Sequence, residues 1–347
     1  MSRAPLVPLS ILLAILLPVV LSACSCGDDD DSGGGDDDTA DDDADDDADD
    51  DSGDDDTWPP LPDDDADEPW DNLSDTLGEG EVRAGVITSE DELIGGPAAR
   101  GRIGDYKIYN SKIELIVQSP EHPGVSFSTF SGTIIDADRA RPVGEPGADC
   151  LQNIEYIMGL IRGFYPTGIE VAAYGHNGAA IIRVVGIDAG INFIDSAIPT
   201  DDLPFRLMNE FILEPDKDYV TIRSTIFNDS DKKHNVLIAD MPFWRGDTDT
   251  FVPRSCYNIG DFDVVSFGRW VGSTNRLGLD VSYALATSSP DRKFYSPYFY
   301  KDVSPLLNGR ILVDAGGSCS YDRLFIVGDG DTGMFTEVIN AHDNNAE

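Results

Sequence analysis

The sequence predicts an all-β protein, a large antiparallel β-sandwich with one short helix, preceded by a disordered acidic linker. Three observations predict it. Between residues 72 and 347, short runs rich in β-branched and aromatic residues recur with Gly, Pro, Asn and Asp between them. A single stretch in that region has apolar residues at helical spacing. Residues 28–71 offer almost nothing to bury, so no burial offsets the entropy of ordering them.

Residues 1–23 read as a secretory leader: Arg3, the apolar core LVPLSILLAILLPVVL, then Leu21-Ser22-Ala23. The apolar run holds Pro8 and Pro18 and has no basic stop-transfer after it. At 16 residues it is shorter than the roughly 20 that cross a bilayer. Leu21-Ser22-Ala23-Cys24 resembles the lipobox of bacterial lipoproteins. The resemblance implies that Cys24 is acylated on its thiol, becomes the first residue of the mature chain, and is acylated again on its amino group. Several acyl chains anchor stably where one binds marginally. Ser25 stands where that family's inner-membrane retention signal has Asp, which implies the outer membrane, with either the periplasmic face or the cell surface open. The membrane is thus an expected partner through Cys24. The bland alternative is a plain secretory leader with an incidental cysteine.

Residues 24–71 form the expected Asp-rich tether. Residues 28–71 carry 24 Asp and one Glu with no Lys or Arg. Of the net charge of −41, this segment holds −25 and Arg3 +1, which leaves −17 for residues 72–347. A neutral flexible chain of that length averages roughly 35–40 Å end to end, and like charge extends it further. DDDADDDADDD lacks the turn glycine and closing glutamate of a calcium loop. Pro59, Pro60, Pro62 and Pro69 stiffen the exit, and Trp58 and Trp70 are placed to dock on the domain that follows.

The sandwich domain is expected over residues 72–347. DYKIYNSKIELIVQ reads as two strands around Asn110-Ser111. GIEVAAYGHNGAAIIRVVGID is a hairpin with Asn177-Gly178 at its turn. FRLMNEFILEPDKDYVTIRSTIFNDSDKKHNVLIADMPFW gives three successive strands, punctuated by Pro215-Asp216 and Asp229-Ser230-Asp231. LGLDVSYALAT, GRILVD and DRLFIVGD add three more. The helix is expected at DCLQNIEYIMGLIRGF, where Leu151, Ile154, Met158 and Ile161 share a face, Asp149 caps and Gln152 completes a capping box. Cys150, Cys256 and Cys319 show no C-x-x-C pairing, so a zinc site is not expected. One disulfide with an odd thiol, or buried free thiols, both fit. Cys26 belongs to the tether.

Two family resemblances arise from these segments. RLMNEFILEPDKDYVTIRSTIFNDSDKKHNVLIADMPFW, with its Asn228-Asp229-Ser230-Asp231 corner, resembles the galactose-mutarotase-like supersandwich. GDYKIYNSKIELIVQ, GTIIDADRARPVGEPGADCLQ and RLFIVGDGDTG resemble the amino-terminal β-rich region of large bacterial surface lipoproteins. In many of those a metal-dependent hydrolase of the polymerase-and-histidinol-phosphatase type lies downstream. The second resemblance implies a non-catalytic leading domain. The hydrolase's His-x-His signature is absent from this sequence, so its activity does not carry over. A shortened relative, a frameshifted product and a standalone version are all compatible with a chain reaching VINAHDNNAE.

His122, His176, His234 and His342 have neither H-x-H nor H-x-x-x-H spacing. No G-x-S-x-G, phosphate loop or catalytic cysteine setting is present, so no catalytic residue, metal or cofactor is assigned. An acidic domain behind an acidic tether repels phosphate, which argues against nucleic acid as a partner. The candidate ligand-binding residues are Trp244, Arg245, Asp247, Trp270 and Asn275, with Asp249 and Arg254 beside them and His176 at its hairpin tip. Flat aromatics next to Arg, Asp and Asn suit a sugar face; the bland reading is that both tryptophans pack the core or rim. DRKFYSPYFYKD reads as a packed loop. Asp329 and Asp331 suit either a polar turn or calcium. The expected function is a membrane-anchored binding or scaffold module for a carbohydrate or cell-envelope polymer. The alternatives are a mutarotase- or polysaccharide-lyase-like enzyme using a histidine and a carboxylate, or the front part of a metallohydrolase.

Overall fold

The computed structural model describes residues 68–125, 130–159, 162–191, 203–245, 248–252, 267–295, 303 and 306–345. Cys24, Trp58, Asp247, Arg254 and Cys256 lie outside the described residues, as do the leader and the tether up to residue 67. The described elements are overwhelmingly strands, and all their pairings are antiparallel.

A four-stranded sheet runs β1 (Val82–Val86), β2 (Tyr106–Asn110), β3 (Ile113–Val117) and β4 (Ile134–Arg139) in order. The thirteen-stranded sheet has a long limb and a short one. Its long limb contains β6 (Arg162–Tyr174), β7 (Ala180–Gly190), β8 (Phe205–Leu213), β9 (Tyr219–Asn228), β17 (Ser318–Gly328), β14 (Ser282–Thr287), β13 (Trp270–Asn275) and β11 (Thr248–Phe251). The short limb is β5 (Leu151–Met158), β10 (His234–Trp244), β16 (Leu306–Val313), β15 (Phe294–Tyr295) and β12 (Phe267–Gly268). Among the described residues the limbs join only where Ile157 meets Gly163 and Met158 meets Arg162. So short a ladder lets the sheet fold over, and β16 of the short limb packs against β9 and β17 of the long one. The small sheet packs on the same limb, through β1 and β2 against β6, β7 and β8.

One apolar core fills the space between these layers, from Ile108, Leu115 and Ile134 through Phe211 and Ile222 to Trp244, Tyr283 and Phe325. The outer face of the long limb carries Ala284, Ala286, Leu324 and Ile326, which Phe335 and Ile339 of helix α1 (Gly333–Asn345) cover. That double cover explains why β14 is buried at every position.

The predicted strands at DYKIYNSKIELIVQ and the three strands after Phe205 form. Asp216 holds the β8–β9 turn at φ 58°, and its carboxylate accepts from the Gly80 N–H at 2.9 Å and the Ser111 hydroxyl at 3.0 Å. The β6–β7 hairpin also forms. Gly175 at its tip has φ 94°, and a Cβ there would lie 2.4 Å from the Val82 carbonyl oxygen.

The helix expected at residues 149–164 is not one. Residues 151–158 form β5 and β6 begins at Arg162; Ile161 lies outside the described residues. Leu151, Ile154 and Met158 are buried, but so are Asn153, Glu155 and Ile157 between them, because β5 is covered on both faces. A strand buried on both faces satisfies helical spacing by accident. Asp149 does not cap a helix: its carboxylate accepts from the Ala137 N–H at 2.9 Å and the Leu151 N–H at 3.1 Å, stitching β4 to β5. The short helix lies instead at Gly333–Asn345.

Candidate binding groove

The residues expected to form a sugar platform do not share a face. Trp244 ends β10 at 0% exposure, stacked on Tyr283 with ring centroids 6.5 Å apart. Trp270 lies on the opposite side of the long limb, its ring edge-on to Phe335 of α1. Arg245 is half-buried beside Trp244. The Asn275 side-chain amide donates to the Leu279 and Val281 carbonyls at 2.8 and 2.9 Å, closing the β13–β14 turn. Asp249 is paired with Arg276.

Each histidine has a local partner. His176 packs on Trp70 at 3.9 Å, its Nε2 2.9 Å from the Glu68 carbonyl oxygen. His122 Nδ1 lies 2.7 Å from Asp105 Oδ1, His234 Nε2 3.1 Å from the Ser230 hydroxyl, and His342 Nδ1 3.1 Å from the Tyr219 hydroxyl. Asp329 and Asp331 form the turn into α1, with Asp331 Oδ1 accepting from the Gly333 N–H at 2.8 Å. Cys150 is buried and Cys319 half-buried. Among the described residues no group of three or more His, Cys, Asp or Glu is placed to hold a metal.

Two polar features were not anticipated. The first spans the sandwich interior. Arg323 of β17 donates from Nη2 to Asp240 of β10 at 2.8 Å, with side chains only 3% and 1% exposed. Arg323 Nη1 also donates to the Ser224 hydroxyl at 2.8 Å, and Ser224 donates onward to Asn209 Oδ1. Asn308 Nδ2 donates to the other Asp240 oxygen at 2.6 Å. Burial opposes the Arg323 charge, but Asp240, with Tyr321 and Tyr156 adding to it, outweighs burial and holds the guanidinium protonated. Burial pushes the neighbouring Tyr156 and Tyr321 phenols well up. The cavity beside them measures about 30 Å³. That is room for a water or two, against the roughly 300–1,000 Å³ of ligand pockets. This network braces the two limbs. Its sequence signal was a charge at a core-phase position: Arg323 alternates with Tyr321 and Phe325, and Asp240 with Val236 and Ile238.

The second feature is a groove of about 590 Å³ on the outer side of the small sheet. Its floor is Lys107 and Tyr109 of β2 and Glu114 of β3; its walls are residues 73–77 and 91–95 on one side and the 140–147 loop on the other. Glu92 fastens the first wall. Its buried carboxylate accepts from the N–H groups of Leu73, Thr88 and Ser89 at 3.0, 2.6 and 3.1 Å. Burial works against its charge, and those N–H bonds win, holding it below the usual carboxylate range. Arg141 in the second wall is tied to Asp138 at 2.7 Å and Asp280 at 3.0 Å.

On the floor, Lys107 Nζ lies 2.8 Å from Glu114 Oε2 and 4.9 Å over the Tyr109 ring. Tyr109 is 4% exposed, its hydroxyl sealed from solvent. Burial pushes this phenol up to about 12, with Arg83 opposing and Asp75 adding to the rise, so it is a donor across the physiological range. The floor brings an ammonium donor and a carboxylate acceptor together within one small-ligand volume. No sequence pattern marked it, because its members come from adjacent strands and from loops distant in the chain.

No protein-family model matches the chain, and no curated protein does. Among solved structures it is similar to a TPR-domain containing protein from Parabacteroides distasonis, with TM-score 0.46 and 10% identity over 74% of this chain. The chain spans 57% of the length of that protein. It is similar to the Slr1438 protein from Synechocystis, with TM-score 0.42 and 10% identity over 66% of this chain and 97% of that one. A galactose mutarotase-like protein from Lactobacillus casei matches with TM-score 0.36 and 11% identity, over 65% of this chain and all of the other.

Proposed function

We propose that the chain is a lipid-anchored lipoprotein of the cell envelope whose β-sandwich is a displayed binding module, seating a saccharide or saccharide polymer in the groove of the small sheet. The observation that carries the binding reading is the groove floor, where the Lys107–Glu114 ion pair lies beside the Tyr109 ring. Alternating donors and acceptors over a few ångströms match the vicinal hydroxyls of a sugar ring, and the groove has the volume for one or two rings.

The display reading rests on Cys24 in its lipobox and on the acidic tether. It is supported by how the first described residues are fastened. The Trp70 indole N–H donates to the Tyr174 carbonyl at 2.7 Å, its ring lies against His176, and the Arg83 guanidinium caps it at 4.3 Å. The wall residues of the groove follow directly, from Leu73. Binding site and tether exit are therefore neighbours in sequence.

The test is calorimetric titration of the full chain in detergent with neutral mono- and oligosaccharides, on the native sequence and on Glu114→Gln and Lys107→Met. A groove ligand should bind the native chain and lose about tenfold in affinity in either variant, the worth of one such hydrogen bond. Saccharide binding that both variants retain would place the site elsewhere. For the anchor, Cys24→Ser should abolish labelling by radioactive palmitate and move the protein from the membrane to the soluble fraction; continued labelling would sink that part.

A further inference from the structure

The outer face of the long limb carries a row of alternating charge. Glu170, Arg183, Glu210, Arg223 and Asp322 are successive cross-strand partners on β6, β7, β8, β9 and β17. Arg183 pairs with both of its neighbours, Glu170 at 3.4 Å and Glu210 at 2.8 Å. Arg223 is held from the other side, its Nε and Nη2 donating to the two Asp322 oxygens, both at 3.0 Å. A guanidinium paired through that edge still presents Nη1 and the second N–H of Nη2 as another fork, and the Arg223 side chain is 45% exposed. The row ends in a pocket of about 460 Å³, lined by Arg223, Ser320 and Asp322 from the strands and by Ser288, Ser289 and Arg292 from the β14–β15 loop. Hydrogen bonds fix that loop. The Thr287 hydroxyl donates to the Ser289 and Arg292 carbonyls at 3.2 and 3.1 Å, and the Arg292 N–H donates to the Ser289 carbonyl at 3.2 Å. The Ser288 hydroxyl ties it to the Asp322 carbonyl at 2.9 Å.

Uncommitted donors outnumber uncommitted acceptors in this pocket. Asp322 has each oxygen on Arg223, and Glu210, the acid facing Arg223 from β8, has Oε1 on Arg183. The Arg292 guanidinium and the Ser289 hydroxyl, by contrast, have no partner among the described residues. We infer that the pocket is a site for an oxyanion, a phosphate or sulfate group, seated between the open fork of Arg223 and Arg292 with the Ser289 hydroxyl donating to it. The site shares no residue with the groove of the small sheet, and it stands without the saccharide reading. Asp322 is a positioning residue here: it fixes the plane of the Arg223 guanidinium, so the fork is set before the anion arrives. Arginine forks suit the paired oxygens of phosphate and sulfate, and hydrogen bonds to such ions are charge-assisted and strong. The same chemistry comes from a free ion or from an ester on a larger molecule.

The experiment is calorimetric titration of the full chain in detergent with inorganic phosphate, inorganic sulfate and glucose 6-phosphate. It compares the native sequence with Arg292→Gln, Ser289→Ala and Arg310→Gln, the last an exposed arginine of β16 outside the pocket. Arg292 has no side-chain partner to lose, so its variant should keep the native urea midpoint, which separates lost binding from lost folding. The expected result is binding to the native chain that falls by about 10- to 100-fold in Arg292→Gln, the worth of one charged donor. Ser289→Ala should lose several-fold, and Arg310→Gln should bind as the native chain does. Phosphate and glucose 6-phosphate binding alike would support a free-ion site. Tighter binding of the ester, lost in Arg292→Gln and kept in Lys107→Met, would support an esterified ligand. Binding that Arg292→Gln retains in full would put the anion elsewhere and overturn the inference. An equal loss in Arg310→Gln would reduce the effect to general surface charge, and no binding of the three probes would overturn the site outright.

Discussion

Arg323 shows what a single charged side chain can settle inside a sandwich. Its strand neighbours Tyr321 and Phe325 point into the core, so the guanidinium has no route to solvent and must be satisfied internally. Asp240, Ser224 and the Ile222 carbonyl take its two terminal nitrogens, while Nε has no hydrogen-bond partner among the described residues. Replacing Arg323 with Met strands the Asp240 carboxylate, and breaking a buried pair this way typically costs about 3–5 kcal/mol. The double variant Arg323→Met/Asp240→Leu should recover much of that, because no charge is left unpaired. Urea unfolding of the three variants measures this, and a double variant as unstable as the single one would mean that the pair does more than neutralise itself. Trp244 makes the complementary point. Fully buried and stacked on Tyr283, it should behave as core on replacement by Ala, with a loss of about 3–5 kcal/mol. Saccharide affinity in the variant that remains folded should be unchanged; a selective loss of affinity at native stability would return it to the site.

At the scale of elements, strands with one polar face or a glycine-bearing turn were legible and the doubly covered ones were not. The β6–β7 hairpin declared itself because Asn177-Gly178 sits between two β-branched arms, and β8, β9 and β10 because Asp216 and the Asn228–Asp231 corner separate them. β5 read as a helix because burial on both faces erases the two-residue period. α1 was overlooked because GMFTEVINAHDNN presents a narrow apolar stripe, chiefly Phe335 and Ile339. That stripe lands on small residues. A Cβ on Gly272 would lie 2.6 Å from Phe335 Cε2, and one on Gly328 3.1 Å from Phe335 Cε1. Two glycines in strands of one sheet thus make the seat for one ring. Gly272→Ala should therefore push the helix outward and destabilise the protein by about 1–3 kcal/mol, the usual cost of overpacking. Hydrogen exchange would show the loss confined to α1 and the adjoining strands; uniform loss across the sheet would argue against a local seat. The groove was illegible for a different reason. Lys107, Tyr109 and Glu114 occupy ordinary outward positions on β2 and β3, and only the walls folded over them turn that face into a groove.

For the molecule as a whole, the seam between the small sheet and the short limb couples stability to pH. Asp136 on β4 accepts from the Arg100 and Gly101 N–H groups at 2.8 and 2.7 Å, and Asp149 bridges β4 and β5. Both carboxyls are fully buried. Burial raises Asp136 to about 6, with Asp105 adding to the rise and the two N–H bonds opposing it. Burial, then the neighbouring Asp136, raises Asp149 as well. A carboxyl whose folded pKa lies above its unfolded value of about 3.9 binds its proton more tightly in the folded state. Its contribution is complete below about pH 4 and is lost as pH rises through about 6. For Asp136 that amounts to on the order of 2–3 kcal/mol. Further down, the opposite class takes over. Glu92, Asp280 and Asp343, held low by hydrogen bonds and arginines, lose their support as they protonate. The full chain should therefore gain urea resistance as pH falls from 7 to about 5 and lose it again below about 4. Asp136→Asn gives up one of the two N–H bonds and lowers stability throughout, but it should flatten the rise between pH 7 and 5, since an amide carries no proton to bind. A midpoint that does not change over that interval in the native chain, or that rises as steeply in Asp136→Asn, would show that the seam carboxyls are not what couples this fold to pH.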